Sequence, residues 1–364
     1  MKYYYSFVII LLTLLNSCAD NVNIFNKHTL YLTDDNMPSL QQLNLEKINL
    51  LEEERIALSI KVYNDSVLII NKSYSSDSFL LSLVNLKNHS LIGEYYKRGN
   101  GPNELLRIAA INYQNRLTVY DITKNQISFF YLDSALSNRQ FYRPNIQSME
   151  GRDFGKFDLL TDTTLIFYNP WHLKNCGNVA NEYAPELLIS GLDGDFKYIP
   201  PENAAFVANE AQAYIVSNID KNRVFIAYNS IPQFTFLNTN LDTIKVIHGP
   251  DIIKRKNYKY KNINGEIYNS IKNSYSSSIY TDDNNIFVSN KRISGLIMKD
   301  FVEFTKTLNN NRPELFRFDW EGNLIARYQL PSRFSSISFS ETTNTLYITV
   351  RDENDELCLY KAQL

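Results

Sequence analysis

Three cysteines, four histidines and two tryptophans are all that this chain of 364 residues carries of those types. The shortages exclude a good deal. Beyond Cys18 only Cys176 and Cys358 remain, and no Cys-x-x-Cys spacing suggests zinc. The two sit far apart in the repeat scheme below, so both are expected as free thiols, although an exported chain can oxidise such residues. His28, His89, His172 and His248 are scattered, and none has an acid and a nucleophile beside it. Triad members meet only in space, so scatter alone leaves a triad open. No nucleophile-elbow or metal motif is present, and the residues assign no catalytic group, metal or cofactor. A surplus charge is missing too. Lys and Arg number 37 against 39 Asp and Glu, which gives no global case for nucleic acid. No apolar run reaches the ~20 residues of a spanning helix.

What is present starts at the first residue. Lys2 gives a short basic start, and Phe7 to Leu15 form an apolar run. Leu15-Asn16-Ser17-Cys18 then matches the bacterial lipobox. In a lipoprotein the cysteine sulfur receives a diacylglycerol, and cleavage leaves Cys18 as the acylated first residue. Two or more acyl chains hold a protein durably where one holds it marginally. The competing readings are an ordinary signal peptide with a chance cysteine, or an uncleaved anchor. Residues 1–17 are therefore read as signal peptide, 18–27 as a tether, and 28–364 as one domain. Ala19 and Asp20 follow the cysteine. An acidic residue there is compatible with outer-membrane or surface display. The expected location is the bacterial cell envelope, lipid-anchored at the outer membrane, on its periplasmic face or at the cell surface.

A repeat decides the fold. A short polar turn with Asn or Asp leads into a β-branched or aromatic strand, six times. It reads Asn64-Asp65-Ser66-Val67-Leu68-Ile69-Ile70, then Gln114-Asn115-Arg116-Leu117-Thr118-Val119-Tyr120. It returns at Thr161 to Phe167, Asp220 to Ile226, Asp283 to Val288 and Thr343 to Ile348. The first apolar residues, 67, 117, 165, 224, 286 and 346, are spaced by 50, 48, 59, 62 and 60. Asn and Asp tolerate left-handed backbone and close tight hairpins. Further strands fill each unit: Ile127 to Leu132, Phe234 to Leu237, Thr243 to Ile247, Glu314 to Phe318 and Leu324 to Tyr328. Four strands in 48–62 residues is the arithmetic of a propeller blade. The last unit runs short, with only Glu356 to Tyr360 after its turn strand. An N-terminal strand, His28 to Leu32 or Lys47 to Leu51, is expected to fill it and close the ring. The fold predicted is all-β: a six-bladed β-propeller of four-stranded blades. Two β-sandwiches or a solenoid are the alternatives. Pro201 to Tyr214 is expected as a short helix, and Lys254 to Asn273 as a polar insertion.

Two motifs then point to a family. Tyr96-Lys97-Arg98-Gly99-Asn100-Gly101-Pro102-Asn103-Glu104 carries a Gly-x-Gly-Pro-x-Glu turn, and Tyr280-Thr281-Asp282-Asp283-Asn284-Asn285-Ile286-Phe287-Val288 a turn-to-strand passage. With the lipobox, these make the chain resemble the TolB-like six-bladed propeller lipoproteins of Bacteroides-type bacteria. The resemblance implies the fold and the envelope location. It implies no activity, and the metal-binding histidines of the related lyase propellers are not seen.

Three loops are candidate sites, each with a plainer reading. Arg98 to Glu104 has glycines that permit positive φ and a proline that fixes its own, so it suits a sharp crossover. No Gly-Lys-Ser/Thr follows to cradle phosphate. Arg98, Asn100 and Glu104 are kept as ligand-contact candidates. In Asn169 to Cys176, Trp171 suits stacking on a sugar or anchoring a partner, with His172 beside it, and packing against a neighbouring blade is the plainer reading. Lys254 to Lys261 interleaves basic and aromatic residues, which suits single-stranded nucleic acid or an anionic surface, but an envelope location points to a solvated loop.

The function expected is a non-catalytic binding or protein-interaction module, held to the membrane by its lipid. Its rim loops would meet a glycan, peptide or protein, and nucleic acid is not expected. The alternatives are an envelope hydrolase or lyase with its site at the axial channel, and a purely structural assembly component.

Overall fold

The computed structural model describes residues 29–50, 59–73, 78–113, 117–138, 145–148, 156–161, 164–168, 187–191, 196–199, 213–228, 233–249, 260–263, 266–269, 274–292 and 312–364. The leader, Cys18, the tether, Trp171, His172 and Cys176 lie outside these residues. So does most of the basic run that begins at Lys254.

Three short strands come first: β1 (Thr29–Tyr31), β2 (Leu40–Gln42) and β3 (Glu46–Ile48). A first sheet then pairs β4 (Ser59–Tyr63), β5 (Val67–Asn71), β6 (Phe79–Asn85) and β7 (Leu91–Lys97) in sequence order. The second holds β8 (Ile108–Tyr113), β9 (Leu117–Asp121), β10 (Gln126–Phe130) and β11 (Asn145–Ser148). The third holds β12 (Lys156–Thr161), β13 (Thr164–Tyr168), β14 (Leu187–Gly191) and β15 (Phe196–Ile199). The fourth holds β16 (Ala213–Asn218), β17 (Arg223–Tyr228), β18 (Gln233–Leu237) and β19 (Thr243–His248). A separate hairpin, β20 (Tyr260–Ile263) and β21 (Glu266–Asn269), precedes the fifth. That sheet holds β22 (Ser274–Thr281), β23 (Asn285–Arg292), β24 (Glu314–Asp319) and β25 (Leu324–Gln329). The sixth holds β26 (Phe334–Ser340), β27 (Thr345–Arg351) and β28 (Leu357–Gln363), with β3 at its edge.

The repeat now has a structural meaning. Each of the residues 67, 117, 165, 224, 286 and 346 lies in the second strand of a sheet. The polar turn before it is the hairpin from the first strand. Left-handed backbone appears there, at Asn64 (φ 43°), Asp65 (φ 53°), Asn222 (φ 55°) and Asn344 (φ 48°). The strands behind these turns are continuous apolar runs rather than alternating ones. Val67-Leu68-Ile69-Ile70 is buried throughout, as are β9 and β18. A strand reads this way when both faces of its sheet are covered. Here each sheet is sandwiched between neighbours.

The covering goes around in order. Tyr63, Val67 and Ile69 share a core with Ile108, Leu117 and Val119, which joins sheets one and two. The Tyr120 ring meets Phe157 edge-on at 5.9 Å between sheets two and three. Leu160 and Ile166 pack with Ile215, Val224 and Ile226 between three and four. Phe225, Phe234 and Phe236 pack with Phe316, Phe318 and Trp320 between four and five. Phe225 and Phe236 lie 4.9 Å apart and Phe234 and Phe318 5.3 Å apart, a spacing that adds to their area burial about 0.5–1.5 kcal/mol per pair. Phe287 and Leu315 pack with Phe339 and Leu346 between five and six. Tyr347 and Leu359 pack with Ile60, Val62, Leu68 and Ile70 between six and one. Two serines bridge β26 to β4, the first strands of sheets six and one. Val62 N donates to Ser338 Oγ at 2.7 Å, and Ile60 N to Ser336 Oγ at 3.3 Å. The fold is all-β and propeller-like.

The N-terminal segment does more than expected. The two segments proposed to fill the last unit are both strands, in different sheets. Ile48 in β3 pairs antiparallel with Leu359 in β28. Thr29 to Tyr31 instead runs parallel to β19 on the fourth sheet, and β2 runs parallel to β25 on the fifth. Both cap a free sheet edge, whose unpaired N–H and C=O groups would otherwise need other partners. Three further differences stand out. Residues 132–138, in part expected as strand, form the short helix α1 (Leu132–Asn138), where Leu132 and Leu136 pack inward. The polar insertion contains the hairpin β20–β21. Tyr214, expected at the end of a helix, lies in β16. Among the described residues no helix is long and apolar enough to cross a membrane.

Candidate functional site

The hairpin ends of β4, β12, β16, β22 and β26 converge on a cavity of about 710 Å³. That volume lies in the range of small-molecule sites. Its wall includes Lys61, Tyr63 and Asp65 from the first sheet and Ser217 and Asp220 from the fourth. Tyr280, Asp282 and Asp283 come from the fifth, Phe339 and Glu341 from the sixth. Asp220, Asp283 and Glu341 are exposed at the rim, while Asp65 and Asp282 are half-buried.

Beneath the wall, Asp158 ties the third sheet to the fourth. It is 5% exposed. Its Oδ2 accepts from Ser217 N at 2.6 Å and its Oδ1 from Leu159 N at 2.8 Å. Ser217 Oγ in turn donates to the Leu159 carbonyl. Burial nevertheless pushes the Asp158 carboxyl up to about 6, against the pull of those N–H groups and of Lys61. Lys61 borders the cavity and keeps partial solvent contact. The protein packed around it lowers its ammonium to about 8, with Asp158 and Asp282 opposing the fall.

Asp282 sits in the turn between β22 and β23. Its Oδ1 accepts three bonds, from Asn284 N at 2.9 Å, Asn285 N at 2.7 Å and Asn285 Nδ2 at 3.0 Å. Burial outweighs these donors, and its carboxyl is raised to about 6. The turn is held from behind. Trp320, 2% exposed, donates its Nε1–H to the Asp282 carbonyl at 2.9 Å. Arg317 Nε donates to Asn285 Oδ1 at 2.8 Å, while its guanidinium lies over the rings of Phe287 and Phe339. Tyr280 donates its hydroxyl to the Phe339 carbonyl at 2.7 Å, and burial raises that phenol. Tyr63 donates to Asp133 of α1.

The residues singled out from sequence lie elsewhere. Arg98 donates to the carbonyls of Leu106 at 3.0 Å, Ser73 at 3.1 Å and Lys72 at 3.4 Å, which stitches sheet one to sheet two. Glu104 accepts from Gly101 N at 2.9 Å, and that bond, with Lys97 beside it, holds its carboxyl below the usual carboxylate value. Lys124 Nζ donates to the carbonyls of Gly101 and Glu104 at 2.9 and 2.6 Å. A Cβ on Gly99 would stand 2.0 Å from Glu104 Oε2, so the glycine makes room for the carboxylate. Asn100 is exposed at the tip. The structure thus brings Arg98, Asn100 and Glu104 together in one loop, apart from the cavity. Trp171 and His172 lie outside the described residues. Cys358 carries a free thiol, 3.8 Å from Asp352 Oδ2.

Sequence reasoning missed Lys61 and Asp158. A signal existed: each is a single charge inside an otherwise strand-like run, Ser-Ile-Lys-Val-Tyr and Phe-Asp-Leu-Leu. Such a charge on a packed strand must face a partner or a cavity.

No protein-family model matches the chain, and no curated protein matches it in sequence. Its backbone is similar to that of a member of the DUF4221 family from Bacteroides vulgatus, at 14% identity and TM-score 0.55. That match covers 89% of this chain and 98% of the other. It is also similar to a candidate exported protein of Bacteroides fragilis, at 11% identity and TM-score 0.52, over 92% and 99% of the two chains. At such identities the likeness is one of fold.

Proposed function

We propose that this protein is a lipid-anchored, six-bladed propeller of the bacterial cell envelope that binds a ligand in the cavity between its hairpin ends. The carrying observation is the cavity itself, about 710 Å³ with walls drawn from five sheets that all contribute polar or charged side chains. Rigid strands deliver those side chains, which is what a binding site requires. In this reading each of the six sheets is a blade, and β3 closes the ring by completing the last. The lipobox at Leu15 to Cys18 supports the anchor, and the TolB-like resemblance supports the envelope setting. The Bacteroides fragilis neighbour, itself a candidate exported protein, agrees with that setting. Within loop 98–104, exposed Asn100 is the member we assign to partner contact, with Arg98 and Glu104 shaping the loop. Trp171 and His172 are kept as a second contact point for a glycan, peptide or protein.

Two tests separate the parts. Fatty-acid labelling in the native host is expected for the wild type and not for Cys18→Ala; equal labelling would remove the anchor. Arrayed glycans and peptides are expected to capture the purified protein, and blocking of the cavity by Ser217→Trp is expected to abolish capture.

One observation favours a second reading, an envelope hydrolase or lyase. Asp158, Asp282 and Lys61 are all displaced toward neutral pH, which is where acid–base groups work. Turnover of a captured ligand, lost in Asp282→Asn with binding kept, would select it.

A further inference from the structure

On the reading of the cavity as a ligand site, we propose that it takes an organic cation: ammonium or guanidinium groups carried by a flexible small molecule or a peptide side chain. Charge is the first argument. Five carboxylates line the cavity, those of Asp65, Asp220, Asp282, Asp283 and Glu341, against the single ammonium of Lys61. Lys61 is already set against Asp158 and Asp282. The cations just behind the wall are engaged with amides. Lys221 Nζ donates to Asn284 Oδ1 at 3.1 Å, and Arg317 reaches Asn285. An excess of negative charge in a walled space concentrates cations there.

The carboxylates also act on one another across sheets. Glu341 of the sixth sheet opposes ionisation of Asp282 in the fifth. Asp65 of the first sheet and Asp282 both oppose ionisation of Tyr280. A bound cation relieves the repulsion between Glu341 and Asp282.

An inorganic ion fits poorly. Among the described residues no three of the His, Cys, Asp and Glu side chains converge closely enough to hold a metal. Calcium and magnesium need oxygens gathered at roughly 2.0–2.6 Å. Here the charge is spread around the wall, which suits cationic groups spaced along a chain. One oxygen also lacks a donor. Asp282 Oδ2 is buried and accepts no hydrogen bond, while Oδ1 on the same carboxyl takes three. An ammonium entering beside it would complete the set with a small turn of the carboxyl. Tyr63, Tyr280 and Phe339 also border the cavity, among its polar residues.

The test is calorimetric titration of the full exported chain in low salt. Spermidine and a Lys-Lys peptide are the cationic probes, with glucose, galacturonate and calcium chloride as comparators. Spermidine or the peptide is expected to bind, and the stronger of the two identifies the source. Asp282→Asn is expected to weaken that binding roughly tenfold or more, as loss of a charged hydrogen-bond partner does. Asn keeps an acceptor for the turn. The pair Asp65→Asn with Glu341→Gln provides a second check, because Asn tolerates the left-handed backbone at position 65. Binding of a sugar with no binding of either amine would overturn the cation while leaving the cavity reading intact. Calcium binding more tightly than spermidine would overturn it, and so would amine binding indifferent to all three substitutions. Failure of every probe would overturn it as well, and capture on the arrays would then decide the cavity reading separately.

Discussion

Glu104 in the crossover loop and Asp282 at the cavity are both turn carboxylates that accept backbone N–H bonds. Glu104 is held below its ordinary value, chiefly by the Gly101 N–H. Asp282 accepts more bonds and is still raised to about 6. The difference lies in water. Glu104 keeps its solvent and has Lys97 and Lys124 for company, so its charge is welcome. Asp158 is buried and Asp282 half-buried with more protein packed around it, and Glu341 adds a like charge to Asp282. Hydrogen bonds shape both turns, but burial and neighbouring charge decide where the proton sits. A settled carboxylate holds a loop together. A carboxylate that is costly to ionise has free energy to gain from a ligand.

The sharpest way to break this contrast is to remove one carboxylate from each region. Asp158→Ala removes one of the two carboxylates that favour the Lys61 charge and leaves Ser217 N without its acceptor. A buried donor left without its acceptor costs about 1–3 kcal/mol. Urea unfolding at pH 7 is expected to show a loss of that order, and a much smaller one for Glu104→Ala. Equal losses would erase the distinction.

That contrast also separates what the sequence made legible from what it did not. Loop 98–104 announces itself because Gly99, Gly101, Pro102 and Glu104 act within seven residues. The six hairpins are legible for the same reason, since Asn64 or Asn344 carries its left-handed preference wherever it stands. The cavity gives no such local sign. Lys61, Ser217, Asp282 and Glu341 belong to four sheets and are neighbours only after the sheets pack. Asp282 was visible only as part of a turn. Strands β1 and β2 escaped recognition as edge caps because a three-residue parallel strand has too little periodicity to read. Helix α1 escaped because Leu132 continues an apolar run that is strand up to Phe130.

Acid titration should sharpen the contrast next. Asp158 has a folded value of about 6, above the unfolded one near 4. Its protonated form is favoured by folding, so its contribution is complete below about pH 4 and is lost as pH rises toward 6. Two pH units correspond to about 3 kcal/mol as an upper figure. Glu104 works in the opposite sense, contributing above its unfolded value and losing that contribution as pH falls. Denaturant unfolding between pH 4 and 6 is expected to show a flatter rise toward acid in Asp158→Asn than in wild type. An unchanged slope would mean that Asp158 is not the titrating group.

The smallest effect belongs to the loop. Gly99→Ala displaces the Glu104 carboxylate, the movable end of a side chain, and should cost within about 1 kcal/mol. In a Glu104→Ala background the same substitution should cost almost nothing, since the group it collides with is gone. A full cost in both backgrounds would place the strain in the backbone.

The pairing of Ile48 with Leu359 carries a consequence of timing. Strand β3 is synthesised early and its partner β28 more than three hundred residues later. During that interval β3 has no place to go, and the last sheet exists only as pieces. Contacts between such distant parts of a chain form slowly, because a long loop must close before they yield anything. The strand edges left waiting are ones that other chains can join. A chain halted anywhere short of β28 would leave β3 unpaired, so residues 357–363 decide whether residues 46–48 ever find their sheet.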